Sequence, residues 1–101
     1  MNRQALLKKN LPDSPGVYFF LGRKKKILYI GRATSLRDRV RSYFNPDLAE
    51  KRSEWIAQML IETKDIDAKK TDSVLEAILL EADLIKKFQP RYNTKEKDDK
   101  S

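Results

Sequence analysis

The chain has no cysteine and no histidine among its 101 residues. Without cysteine there is neither a disulfide nor a thiolate zinc site. Without histidine, any catalytic proton transfer falls to tyrosine, lysine or a carboxylate, and any metal must be held by oxygen. No apolar run approaches a membrane span and the N-terminus carries no signal-peptide pattern, which points to the cytoplasm. What is abundant is positive charge: 22 Lys and Arg against 15 Asp and Glu, a net charge of +7 and a pI near 9.7. Such a surface favours a polyanionic partner such as nucleic acid. At 40% hydrophobic composition, the chain can bury one modest core, and a single small domain is expected.

The most informative stretch runs from Gly16 to Gly31, GVYFFLGRKKKILYIG. Two apolar, aromatic-rich runs, Val17 to Leu21 and Ile27 to Ile30, flank the Gly22-Arg23-Lys24-Lys25-Lys26 break. They read as two short strands joined by a basic turn, a β-hairpin with one tyrosine, Tyr18 or Tyr29, on each arm. Gly16 and Gly31 lie two residues from these tyrosines, so the backbone can pass close to another group at both places. Taken alone, the Arg23 to Lys26 run is most simply a solvated turn.

Residues 2–9 read as a short basic helix stopped by Pro12 and Pro15 and packed over one edge of the hairpin. Ser35 is a plausible N-cap for a helix through Phe44, ended by Asn45-Pro46. Leu36, Val40 and Tyr43 share one face of it, with Arg39 at the border. A second helix is expected from about Asp47 or Lys51 to Leu60, burying Trp55, Ile56, Met59 and Leu60. Ile61 to Lys70 reads as a third strand, antiparallel to the hairpin. The last helix starts at a Ser73/Glu76 capping box and runs to Pro90, with Val74, Leu75, Ile78, Leu79, Ala82, Ile85 and Phe88 as its apolar pattern. Glu76, Asp83 and Lys87 form a polar stripe on this helix. Glu81 instead has Val74, Ile78, Ile85 and Phe88 as its helical neighbours, and a carboxylate on such a face needs a partner. Two readings stand: an arginine, or a hard divalent cation, Mg²⁺ or Mn²⁺, with its remaining contacts from water and phosphate.

Together these residues resemble the GIY-YIG nuclease superfamily. Gly16-Val17-Tyr18 and Tyr29-Ile30-Gly31 correspond to the naming motif, followed by Arg32, by Arg39 and Tyr43 on the next helix, by Glu81 on a later one, and by Asn93 beyond Pro90. Val17 stands where the motif has isoleucine, a swap between β-branched residues. Within the superfamily, Leu11-Pro12, Pro15 to Tyr18, Leu36 to Tyr43 and Glu76 to Asn93 are most similar to the N-terminal domains of the UvrC type. The resemblance implies an α+β fold, a small three-stranded antiparallel sheet flanked by helices, that hydrolyses a DNA phosphodiester with one Mg²⁺ or Mn²⁺ ion. It implies incision on the 3′ side of a lesion in nucleotide excision repair, on damaged duplex DNA carrying UvrB, with UvrA acting upstream. It also implies a nuclease domain over 1–93 and, at 94–101, the charged start of a linker to a longer protein.

On this resemblance Tyr18, Tyr29, Arg39, Tyr43 and Glu81 are the catalytic candidates, and Gly31, Arg32 and Asn93 support them. Glu81 holds the metal, and Arg39 offers a planar, permanent cation to the scissile phosphate. Tyr18 and Tyr29 compete for the role of base, which requires that nearby cations lower a phenol pKa of about 10. Tyr43 orients water or phosphate, and Asn93 pins the site by hydrogen bonds. Two rival readings remain: another nuclease of the superfamily, stand-alone or from a mobile element, and a noncatalytic nucleic-acid-binding module in which the glutamate only pairs with Arg39.

Overall fold

A computed structural model describes residues 10–44 and 54–93. The helix expected at 2–9, the part of the second helix expected before Glu54 and the linker expected at 94–101 all lie outside the described residues. The elements follow in the order β1 (Gly16–Leu21), β2 (Ile27–Ala33), α1 (Leu36–Ser42), α2 (Glu54–Glu62), β3 (Asp65–Lys70) and α3 (Val74–Phe88). The three strands form one antiparallel sheet in the order β2-β1-β3. This is the α+β sheet-and-helix architecture expected, with the hairpin as β1 and β2.

β1 is the middle strand and both of its faces are covered, which is why GVYFFL is a continuous apolar run rather than an alternation. Tyr18 and Phe20 point to one face, where Leu36 and Val40 of α1 and Met59 of α2 join them. Val17 points to the other, against Ile30 and Ala77, with Leu80, Leu84 and Ile85 of α3 alongside. The loop before β1 is tied to α1: the amides of Leu36 and Arg37 donate to the carbonyls of Ser14 and Pro12, at 2.9 and 3.1 Å. Two orphan N–H groups of that helix start are thereby satisfied, and Ser35 accepts from the Asp38 amide as its N-cap.

Several expectations are corrected. The first helix ends at Ser42 rather than Phe44, and the second continues to Glu62, so the third strand begins at Asp65, not Ile61. Ile61 is exposed on the helix, and the Thr63 hydroxyl closes that helix by donating to the Met59 carbonyl at 2.8 Å. The last helix is capped by Ser73 as expected, but the Glu76 carboxylate reaches the amide of Asp72 rather than that of Ser73. Its buried face is also not the one read from spacing. Ala77 is fully buried, whereas Leu75 and Leu79 are 65% and 58% exposed, and Val74, Ile78 and Phe88 are exposed as well.

Candidate active site

The site forms where the edge strand β2 meets α1 and α3. Tyr18 pairs with Gly31 across the β1–β2 ladder, and a Cβ at Gly31 would coincide with the end of the Tyr18 ring. Only hydrogen at that position lets the phenol lie over the edge strand. Gly16 serves a similar purpose, since a Cβ there would meet the Lys69 carbonyl and the Leu36 side chain.

Three phenols gather on the α1 side. The Tyr18 and Tyr43 hydroxyls are hydrogen-bonded at 2.7 Å, and the Tyr18 and Tyr29 rings lie 6.4 Å apart. Tyr18 is 1% exposed, while Tyr29 and Tyr43 are half-buried. Burial, first, and then the neighbouring phenols Tyr18 and Tyr29 hold the Tyr43 pKa far above its ordinary value of 10. Tyr43 therefore stays a neutral phenol at working pH, able to donate or accept in its bond with Tyr18. Arg39 lies beside the same group: a side-chain hydrogen bond with Tyr18 raises its pKa above the ordinary arginine value. The Tyr18 oxygen thus has a permanent cation and a phenol as neighbours.

On the α3 side of the same strand, Arg32 Nη1 donates to Glu81 Oε1 at 2.7 Å. Glu81 is 16% exposed and Arg32 50%. The carboxylate is thus largely buried and has an arginine partner, but that partner is Arg32 and not Arg39. Its apolar helical neighbours Val74, Ile78 and Phe88 are themselves exposed and do not bury it. Burial comes instead from Glu81 lying at the border of the Ala77–Leu80–Leu84 stripe that meets the sheet. Glu76, Asp83 and Lys87 are all exposed, as the polar stripe requires.

Arg32 and Arg39, one from each half, line a cavity of about 470 Å³ together with Thr34, Ser35, Ser42 and Asp38. Neither Thr34 nor Ser42 stood out in the sequence. Their places, just after β2 and one turn beyond Arg39, become informative only once the groove is seen. Asn93 acts from the opposite direction. Its Oδ1 accepts from the Ile30 amide at 2.8 Å and its Nδ2 donates to the Ile30 carbonyl at 3.0 Å, so one side chain occupies the open edge of β2 as a further strand would. The turn carrying Asn93 is held by Tyr92, a buried residue that no motif or spacing singles out. The Tyr92 carbonyl accepts from the Trp55 indole at 3.0 Å and its hydroxyl donates to Glu62.

The donor set suits a hard cation. Glu81 Oε1 is taken by Arg32, and Oε2 has no hydrogen bond among the described residues. Nor do three carboxylates gather anywhere among them. A single carboxylate oriented by an arginine suits a metal that keeps most of its water and completes its shell with phosphate.

A three-stranded antiparallel sheet with paired tyrosines at one edge and a lone glutamate across it defines a GIY-YIG domain. Residues 14–94 match the family described as the UvrC-like GIY-YIG domain, and the chain belongs to that family. It is 46% identical over 93 residues to UvrABC system protein C of Desulforudis audaxviator, and 53% identical over 91 residues to that of Haloquadratum walsbyi. These matches cover 92% and 90% of the chain but 14% of each relative, so the chain spans about one seventh of their length. Among solved structures, the GIY-YIG N-terminal endonuclease domain of UvrC from Thermotoga maritima, bound to magnesium as its catalytic divalent cation, superposes with a TM-score of 0.73 at 36% identity. That match covers 89% of this chain and 92% of the other.

Proposed function

We propose that this chain is a metal-dependent DNA endonuclease domain that makes the 3′ incision of nucleotide excision repair, acting in the cytoplasm on damaged duplex DNA presented by UvrB after UvrA. The observation that carries the proposal is that Arg32, which holds Glu81, and Arg39, which is bonded to Tyr18, line one groove. In this reading residues 1–93 form the nuclease domain and 94–101 begin a linker.

Hydrolysis of a phosphodiester places charge on the non-bridging oxygens and on the leaving alkoxide while water loses a proton. Arg39 binds the scissile phosphate from the groove. Tyr18 takes up the proton of the attacking water as its own phenolic proton passes along the hydrogen bond to Tyr43, whose proton leaves in turn to solvent, while the Arg39 cation stabilises the negative charge that develops on the Tyr18 oxygen. Tyr29, the more exposed phenol, flanks Tyr18 and orients the water. Arg32 holds the Glu81 carboxylate so that Oε2 is presented to Mg²⁺ or Mn²⁺. The ion, when bound, supplies Lewis acidity toward the phosphate and the leaving oxygen. Asn93 keeps Ile30 and Gly31 in line by holding the strand edge.

Substituting Glu81→Gln tests this directly. Cutting of a lesion-bearing duplex loaded with UvrB in Mg²⁺ should fall roughly 10²-fold or more, the several kcal/mol that a bound metal contributes. DNA affinity should be equal or slightly higher, because a negative charge leaves the groove. Glu76→Ala should retain activity and lose about 1 kcal/mol of stability or less. Wild-type cutting by Glu81→Gln, or loss of cutting in Glu76→Ala, would refute the assignment.

A further inference from the structure

At the other end of β2 lies a second cationic surface. A cavity of about 330 Å³ is lined by Arg23, Lys26, Lys64 and Arg91, and a neighbouring one of about 410 Å³ by Lys25, Lys26 and Arg91. The two share Lys26 and Arg91. The cations come from three separate parts of the chain: the hairpin turn, the link between α2 and β3, and the turn after α3. Convergence from three segments sets this surface apart from a charge run on a solvated loop. Glu62 is the sole carboxylate among the lining residues, and it is engaged by Arg91 at 3.2 Å and by the Tyr92 hydroxyl. Arg23, Lys25, Lys26 and Lys64 are exposed and have no ion-pair partner among the described residues.

The turn itself is unusual. Lys24 and Lys25 sit at φ 57° and 60°, the left-handed region, where glycine or asparagine is favoured.

Lys26 and Arg32 are six residue steps apart along extended chain, about 20 Å at 3.3 Å per step. That span equals about six base-pair steps at 3.4 Å each. From this geometry we infer that the hairpin end of the sheet is a second DNA contact, in which Arg23, Lys26 and Lys64 grip the backbone phosphates of the duplex flanking the scissile bond. The site takes phosphodiester backbone and reads no base. It rests on the nuclease reading above and adds a register to it, since a duplex held at both ends of β2 is fixed along its axis and not only at the groove.

The test compares two charge-matched pairs in the full chain. Arg23→Gln with Lys26→Gln removes two cations from the patch, and Lys69→Gln with Lys70→Gln removes two from β3, the far edge strand. Binding to a labelled 20-base-pair duplex is followed by fluorescence anisotropy from 20 to 200 mM KCl. The patch pair should flatten the plot of log affinity against log salt by about 1 to 2, since each lost phosphate contact removes about 0.9. The β3 pair should leave the slope unchanged. Equal slopes in the two pairs, or no measurable binding by the unsubstituted chain, would overturn the inference. The Glu81→Gln cleavage comparison reads the groove independently. If it abolishes cutting while the two pairs behave alike, the nuclease reading stands and the second contact is removed.

Discussion

A methyl group at residue 31 would occupy the place of the Tyr18 ring, and this makes Gly31 the most constrained small residue of the site. The ring cannot simply retreat, because its hydroxyl is bonded to Tyr43 and it packs nearly perpendicular to the Phe20 ring with centroids 5.7 Å apart. Gly31→Ala should therefore cost about 1 to 3 kcal/mol, the range for overpacking a filled core. It should also break the Tyr18–Tyr43 bond, so activity should fall by more than the stability loss explains. Urea unfolding together with cleavage at a temperature where the variant stays folded would check both. A variant as stable and as active as the parent would mean that Tyr18 has another position available. Arg32 is constrained in a different way: its fixed planar fork holds one Glu81 oxygen and leaves the other open, which a flexible lysine would do less well.

At the scale of elements, α3 separates what spacing reveals from what it hides. Its ends were legible, because Ser73 is a polar cap and Pro90 a stop, and both act through local backbone chemistry. Its buried face was not. Apolar residues cover more than half of the helix circumference, and the decisive residue is the small Ala77, which lets the helix approach Val17 and Ile30 closely. Glu81 was rightly singled out as a carboxylate in need of a partner, but choosing Arg32 over Arg39 depends on how α3 lies across β2, which no local pattern encodes. The same limit moved the start of β3, since Ile61 and Thr63 fit a strand alternation and a helix end equally well. Two comparisons follow. Leu75→Gln should change stability by no more than about 0.5 kcal/mol, whereas Leu84→Ala, packed under the helix, should cost about 2 kcal/mol or more. In the hairpin, Lys24→Asn with Lys25→Gly should stabilise by roughly 1 kcal/mol, by relieving two left-handed lysines. Urea midpoints decide both; a costly Leu75→Gln would restore the face read from spacing, and a destabilised turn variant would show that the lysines carry no strain.

Across the whole molecule, two phenols couple protonation to folding. Tyr43 joins α1 to β1 through Tyr18, and Tyr92 joins the C-terminal turn to α2 through Glu62. Burial comes first among the causes that raise both pKa values, with Tyr92 pushed up to about 12 and helped by its bond to the Glu62 carboxylate. The unfolded chain would titrate both near 10. The folded state therefore holds these protons more tightly, and unfolding above pH 10 releases them. The stability they contribute is fully present below pH 10 and is lost as pH rises from 10 toward 12, so the linked loss appears on the alkaline side. The melting temperature should stay level between pH 8 and 9.5 and drop between 10 and 11.5. Tyr43→Phe with Tyr92→Phe should be less stable at pH 8, having lost both hydroxyl bonds, yet show a shallower alkaline drop. An equally steep drop in that double variant would assign the alkaline loss to other groups and sever the proposed tie between these two phenols and the fold.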